Sequence, residues 1–521
     1  MTGGDEMNDK ALRKVCIVGG GTAGWMAAAL MGHHFQGKLF EIELVESDDI
    51  GTIGVGESTV PPFLELIARL GINEQEFIAA TQASFKLGIE FADWRVRGES
   101  YFHPFGSIGA PMDLAEFYQC WLAAKARGDA RPLQDYAPAS IMAREGRFML
   151  PFKARQSPIG GASYALHVDA KLVARYLRRF AEERGVKRTE GMVSEVRQRE
   201  DGFVERLVLR DGREVDADFF IDCSGFRALL IGGALDAPYE DWSDYLLCDR
   251  AIAVQTENAG PPRPYTRAVA QDHGWRWEIP LQHRTGNGYV FSSRFLDDES
   301  ATRTLLEQVE GKPVAPPMVV PFRTGVRRRI WEKNVLALGL AAGFIEPLES
   351  TAIHLVYRGM DFFFRFLPDR DCDPALQAEY NRRMVTDYEE IRDFVMLHYV
   401  TTERDDTDFW RACRDMALPA SLQAKIDLFR VNGTLREGVD ELFRAPSWQS
   451  VMEGMGVRPR THHPIVGRLP YPAMVDAMAK GADQLGAFVQ RLPSLAEFIQ
   501  AHCAAPPPLP VPAQEAKPLS A

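Results

Sequence analysis

Three glycines spaced as Gly19-x-Gly21-x-x-Gly24 have the pattern that holds a pyrophosphate. The first makes a tight turn, the second lets backbone approach the phosphates, and the third lets a helix pack closely on the preceding strand. Glu46 closes the next apolar run. A carboxylate there suits a ribose 2′-hydroxyl, hence an adenosine diphosphate half without a 2′-phosphate. A second candidate is the stretch GWRWEIP, residues 274–280. On a strand, Trp275 and Trp277 point to one face, and Pro280 ends the ladder. The two rings form either core or the wall of a cavity. Taken singly, the polar candidates read as ordinary: Lys86 as a solvated lysine, Glu346 and Glu349 as an acidic helix start, His103 as a structural histidine.

The elements that must position these residues can be read from periodicity. Residues 15–18, the glycine turn and the alanine-rich stretch 25–31 predict strand, turn and helix. A second strand covers 42–45, followed by a glycine-rich loop over 48–62. Asp169 is placed to cap an amphipathic helix over 170–183, with Gly185 as its stop. Apolar runs at 218–225 and 334–343 end in small-residue turns, where backbone can approach a long ligand. Contacts spread along the chain in this way fit an extended FAD better than NAD. From about 355 to 501 the pattern is helical, and 506–512 is proline-rich.

The chain has 521 residues, 46% hydrophobic and 25% charged, with a formal net charge of -12. That acidity argues against nucleic acid as a partner. Seven scattered cysteines without a CxxC pair argue against a disulfide framework or a zinc site and suit a reducing cytoplasm. The polar N-terminus lacks the apolar core of a signal peptide, and no apolar run is long enough to span a membrane. The sequence is compatible with a monomer or a dimer.

Taken together the motifs resemble those of the flavin-dependent tryptophan halogenases. The matching pieces are GGGTAGW (19–25), GVGEST (54–59), SFKLGIEFADW (84–94), YFHPFG (101–106), GWRWEIP (274–280), GYVFSS (288–293) and GLAAGFIEPLEST (339–351). The resemblance implies an α/β fold: an FAD-binding, Rossmann-like domain of flavin monooxygenase type with a mostly helical C-terminal subdomain. Residues 1–365 would form the FAD-binding core with interleaved substrate-side β segments, 366–505 the helical subdomain, and 506–521 a disordered tail. It further implies that FADH2, oxygen and chloride or bromide yield hypohalous acid, which an internal tunnel carries to a separate aromatic-substrate pocket. Lys86 would activate or carry the electrophilic halogen. Glu349 would polarise the donor or stabilise the cationic ring and take its proton. Ser350 would lie between the two sites, and the backbone amides of Thr351 and Ala352 would hold the halide. Gly19, Gly21, Thr22, Ala23 and Gly24 would contact FAD, with Glu46, Leu340 and Ile353. Trp275 and Trp277 would stand beside the tunnel. A separate NAD(P)H-dependent flavin reductase would supply reduced flavin.

The chain departs from the family where free tryptophan would be gripped. No tyrosine occurs between Tyr399 and Tyr471, so the tyrosine pair that meets the amino-acid end is missing. This predicts indole or an indole-like substrate, held by His103, Phe105 and Trp448. Two rivals share the flavin fold: an aromatic monooxygenase that hydroxylates, and a flavin-binding protein without catalysis.

Overall fold

The computed structural model describes residues 10–50, 56–154, 156–438 and 440–506. Most of the proline-rich tail, and Gly54 and Val55 of GVGEST, lie outside the described residues. The apolar run near the N-terminus forms the strand Lys14–Val18, buried at four of its five positions. It is the centre of a six-stranded sheet. Strand Phe219–Asp222 pairs with it on one side and Glu41–Glu46 on the other, both parallel. Val335–Ala337 and Lys187–Glu190 extend the parallel set, and Trp331–Glu332 closes one edge antiparallel. Strands buried on both faces need near-continuous apolar sequence, which is what CIV, FFI and VLA supply. Helix Thr22–Phe35 leaves the glycine turn and packs against helices Ala170–Glu182 and Ala352–Arg365. Asp169 caps the second of these as the sequence predicts, accepting from the Lys171 and Leu172 amides, and also binds Arg284 at 2.6 Å.

A second sheet of seven strands carries the aromatic wall. Its order runs Met318–Pro321, Arg250–Thr256, Thr285–Phe291, Gly274–Pro280, Thr266–Gln271, Gly88–Ala92, Ser100–Pro104. GWRWEIP is a strand throughout and is buried at all seven positions. Pro280 is its last residue, paired with Thr285. A three-stranded sheet, Gly56–Ser58, Ala165–Asp169 and Ser84–Lys86, packs on this wall through its first strand. It ties the loop after Glu46 to Lys86, because both flanking strands pair with Ala165–Asp169. Gly56 and Gly286 meet face to face: a Cβ on Gly286 would lie 3.2 Å from the Gly56 Cα. The two glycines let that strand seat tightly on the wall.

After Phe344 the described residues form helices and connections, with the helical run starting at Ala352. The longest helix, Pro374–Val400, spans 27 residues and is capped by Asp373. Helix Ala445–Gly454 packs on strand Ser100–Pro104. Among the described residues no helix is long and apolar enough to cross a membrane.

Candidate active site

The glycine fingerprint opens into a cleft of about 460 Å³, within the range of ligand pockets. Each glycine has a distinct reason. A Cβ on Gly19, whose φ is +113°, would fall 2.3 Å from the Cys223 carbonyl oxygen. One on Gly24 would fall 1.9 Å from the Gly19 carbonyl oxygen, so Gly24 seals helix to strand and lies behind the cleft surface. Gly21 meets nothing within 4 Å and faces open space, where a phosphate fits at the start of helix Thr22–Phe35. Gly19, Gly21, Thr22, Ala23, Glu46, Leu340 and Ile353 all line the cleft, so seven of the eight residues expected at a cofactor meet there. Glu46 is held against the wall by Arg188 at 2.6 Å and Trp25 at 3.3 Å. Glu57 of GVGEST also lines it, and burial together with the Asp169 charge pushes its carboxyl up to about 7. The open glycine cradle, the helix start and the acidic residue at the strand end fit FAD.

Thr351, Ala352 and Ile353 bring the far side of this cleft to the chemistry. Helix Ala352–Arg365 begins there without a side-chain cap, which leaves its first amides for an anion. Ser350 precedes it in the left-handed region, at φ +63°. That turn sends the Ser350 side chain away from the cleft lining to Lys86. Lys86, on strand Ser84–Lys86, is fully buried; its Nζ donates to Ser350 Oγ at 2.9 Å and to the Thr59 carbonyl at 3.1 Å. Burial lowers its pKa to about 7, and the Glu349 charge opposes that shift. Nζ also lies 5.0 Å from the centroid of the Phe105 ring.

Glu349 is equally buried, and its partners are histidines rather than Lys86. His103 Nδ1 lies 3.0 Å from Oε2, and His398 Nε2 donates to Oε1 at 2.9 Å. The Tyr101 hydroxyl donates to His398 Nδ1 at 2.6 Å, which fixes the tautomer that faces Glu349. Burial works against the Glu349 charge, yet the two imidazoles hold its carboxyl down at about 2. The group is therefore a permanent anion beside a lysine poised near neutrality. The other nitrogen of His103, Nε2, is buried without a hydrogen-bond partner among the described residues. Rings of Phe105, Phe394 and Phe443 surround that imidazole at 5.5–6.1 Å. Trp448 lies edge-on to Phe394 at 4.9 Å. His103, Phe105 and Trp448 thus belong to one aromatic cage.

The tryptophan wall joins the same loop. Trp275 Nε1 donates to Glu346 Oε2 at 2.9 Å, and the Tyr399 hydroxyl donates to the same oxygen at 2.8 Å. Burial pushes the Glu346 carboxyl up to about 7. Trp277 lies flat on Gly288, whose Cβ would fall 2.0 Å from the ring. Four residues at this site are not singled out by sequence: Thr59 and Tyr101 lie inside quoted motifs without an assigned role, and His398 and Tyr399 lie outside every motif. Thr59 acts through its carbonyl, which any residue has. His398 and Tyr399 sit on a long helix whose pattern marks only burial.

A Rossmann-type flavoprotein is the class that this sheet and cleft define. The comparisons narrow it. The family model for tryptophan halogenase matches residues 14–471. Tryptophan 7-halogenase RebH of Lentzea aerocolonigenes is 35% identical over 94% of this chain and 98% of its own length. Two solved structures of flavin-dependent halogenases superpose over 96% of this chain and 100% of theirs. Xcc4156 from Xanthomonas campestris does so at 46% identity and TM-score 0.92, and BrvH from Brevundimonas sp. BAL3 at 41% and 0.91. The chain belongs to the tryptophan halogenase family, whose members are flavin-dependent enzymes that use FAD and halide.

Proposed function

We propose that this enzyme halogenates an electron-rich arene, indole or an indole derivative rather than free tryptophan. The observation that carries this is a buried lysine bonded to Ser350 and the buried carboxylate of the adjacent Glu349, both outside the FAD cleft and beside an aromatic cage. The residues lining the cleft would hold reduced FAD from a separate NAD(P)H-dependent reductase, and that cofactor would supply the electrons by which oxygen and chloride or bromide become hypohalous acid and water, with FAD left oxidised. The Thr351 and Ala352 amides hold the halide at the cleft wall. Ser350 and Lys86 take up the hypohalous acid on the substrate side. The Lys86 ammonium has two N–H groups engaged and one left to polarise the halogen donor. Glu349 stabilises the positive charge that grows on the ring and then accepts its proton. Its low basicity suffices, because a cationic arene ring is a strong acid. His103 Nδ1 donates to Glu349, which leaves Nε2 as an acceptor for a ring N–H.

One assay tests this reading: FAD, a reductase, oxygen, bromide or chloride, and indole, with products read by mass. Halogenated indole is expected. Hydroxylated indole would assign a monooxygenase instead, and absence of product across an aromatic panel would remove catalysis from the reading. L-Tryptophan is expected to turn over poorly, since a buried site without partners for the zwitterion binds it weakly.

Trp275 and Trp277 act here as a barrier that keeps the organic substrate from the flavin. The double variant Trp275→Leu with Trp277→Leu is expected to bind FAD normally and to release some hydroxylated arene. If it binds FAD normally and yields none, the two rings are core only.

A further inference from the structure

Beside the aromatic cage lies a small cavity of about 10 Å³, room for one water-sized group. Its walls come from three elements. His354 stands in the first turn of helix Ala352–Arg365. Asp387, Glu390 and Ile391 share one face of helix Pro374–Val400. Glu441, Leu442, Phe443 and Trp448 close it from the chain entering helix Ala445–Gly454, with Asp440 at the exposed rim. Phe443 and Trp448 are the rings that also pack on Phe394. The cavity and the cage therefore share two walls.

The charges around it do not balance. Arg358 is engaged by Asp387 at 2.8 Å, and Lys425 by Glu441 at 3.2 Å. Glu390 has no hydrogen-bond or ion-pair partner among the described residues. Burial and the charges of Glu441 and Asp387 push its carboxyl up to about 7, despite Lys425 and Arg358 nearby. A cation placed between these groups would relieve that repulsion. An independent sign is His354. It is only 8% exposed, its Nδ1 has no partner, and burial lowers its pKa to about 3, so the ring is a neutral acceptor. Lys425 Nζ lies 4.1 Å from the Trp448 centroid, so one cation–π contact already borders the cavity. An ammonium group is water-sized and carries only donors, which suits a small cavity lined by carboxylates and a neutral imidazole.

We infer that this cavity is an ammonium subsite, formed by Glu390, Glu441 and the His354 imidazole, and that the arene substrate carries a side-chain amine without a carboxylate. This rests on the halogenase reading of the neighbouring cage. It reconciles the missing tyrosine pair with an acidic pocket. A carboxylate would be repelled here, whereas an amine is drawn in.

Matched probes test it. Indole-3-ethylamine and indole-3-ethanol differ in one terminal group, ammonium against hydroxyl, and indole lacks the arm. With the purified full chain, calorimetry is expected to show the amine binding about tenfold tighter than the alcohol, as charge-assisted hydrogen bonds would give. In Glu390→Gln that preference is expected to shrink to within about twofold, with indole affinity unchanged. Equal binding of amine and alcohol by the native chain overturns the inference. So does a preference that survives in Glu390→Gln, or a variant that weakens all three probes alike. Bromination of indole, read in parallel, separates the two claims. If indole is brominated without an amine preference, only the ammonium subsite falls. If the preference holds and no arene is halogenated, the proposed activity falls.

Discussion

Lys86→Ala is expected to lower halogenation of indole by about a thousandfold or more while FAD affinity stays within about twofold. The reason is geometric. Lys86 does not line the flavin cleft, so its loss leaves the cofactor contacts intact. On the substrate side it is the only fully buried cation among the described residues near the cage, with Nζ fixed by Ser350 and Thr59. Lys86→Met keeps the bulk without the charge and should match the alanine variant. Retained turnover in either would remove the lysine from the chemistry. The native pH profile gives an independent reading. Lys86 titrates at about 7, so its ammonium is full below that pH and is lost as pH rises through it. If the ammonium polarises the halogen donor, kcat/KM for the arene falls by about tenfold per unit on the alkaline side. A rise through the same range would assign the free amine as the halogen carrier.

Glu349→Gln is expected to slow turnover by about 10²–10³-fold, again with FAD bound normally. The amide is neutral, so it cannot balance the charge growing on the arene or take up its proton. It also presents an NH2 group to one of two imidazole donors, which breaks the His103–Glu349–His398 arrangement. A second consequence separates chemistry from disrupted packing. The Glu349 charge raises the pKa of Lys86, so its removal should move the alkaline limb of the pH profile to lower pH. A rate within about threefold of native, with the limb unmoved, would sink the assignment.

The sequence and the structure agree most closely where one residue type has one physical excuse. Gly19 and Gly24 are dictated by contacts under 2.5 Å, and the alternation of GWRWEIP by its strand. The cap at Asp169 is equally local. Lys86 is different. Alone it reads as a surface lysine, and only the order of the family's motifs identifies it as buried. Its immediate partner could not be read at all, since Ser350 reaches it only because φ there is positive. His398 lies far along the chain from Glu349, and nothing in the pattern of its helix distinguishes a ligand of a carboxylate from a packed imidazole. Likewise Glu390 reads as one more acid on an exposed helix face until the fold turns that face toward Phe443 and Trp448.

The stretch 345–354 has a bearing on how this enzyme can be altered. Ile345 touches the flavin cleft, Glu346 holds Trp275, Glu349 binds two histidines, Ser350 reaches Lys86, Thr351 to Ile353 return to the cleft, and His354 faces the acidic cavity. Ten consecutive positions thus serve four compartments in turn. A single inserted or deleted residue would shift every later residue out of its compartment, and from Ala352 on would turn the helix by about 100°. Libraries aimed at new substrates should therefore hold the length of this stretch fixed and place their diversity on the opposing walls, at Phe105, Phe443 and Trp448. Phe443 and Trp448 also wall the acidic cavity, so changes there alter cage and cavity together while the flavin cleft keeps its lining.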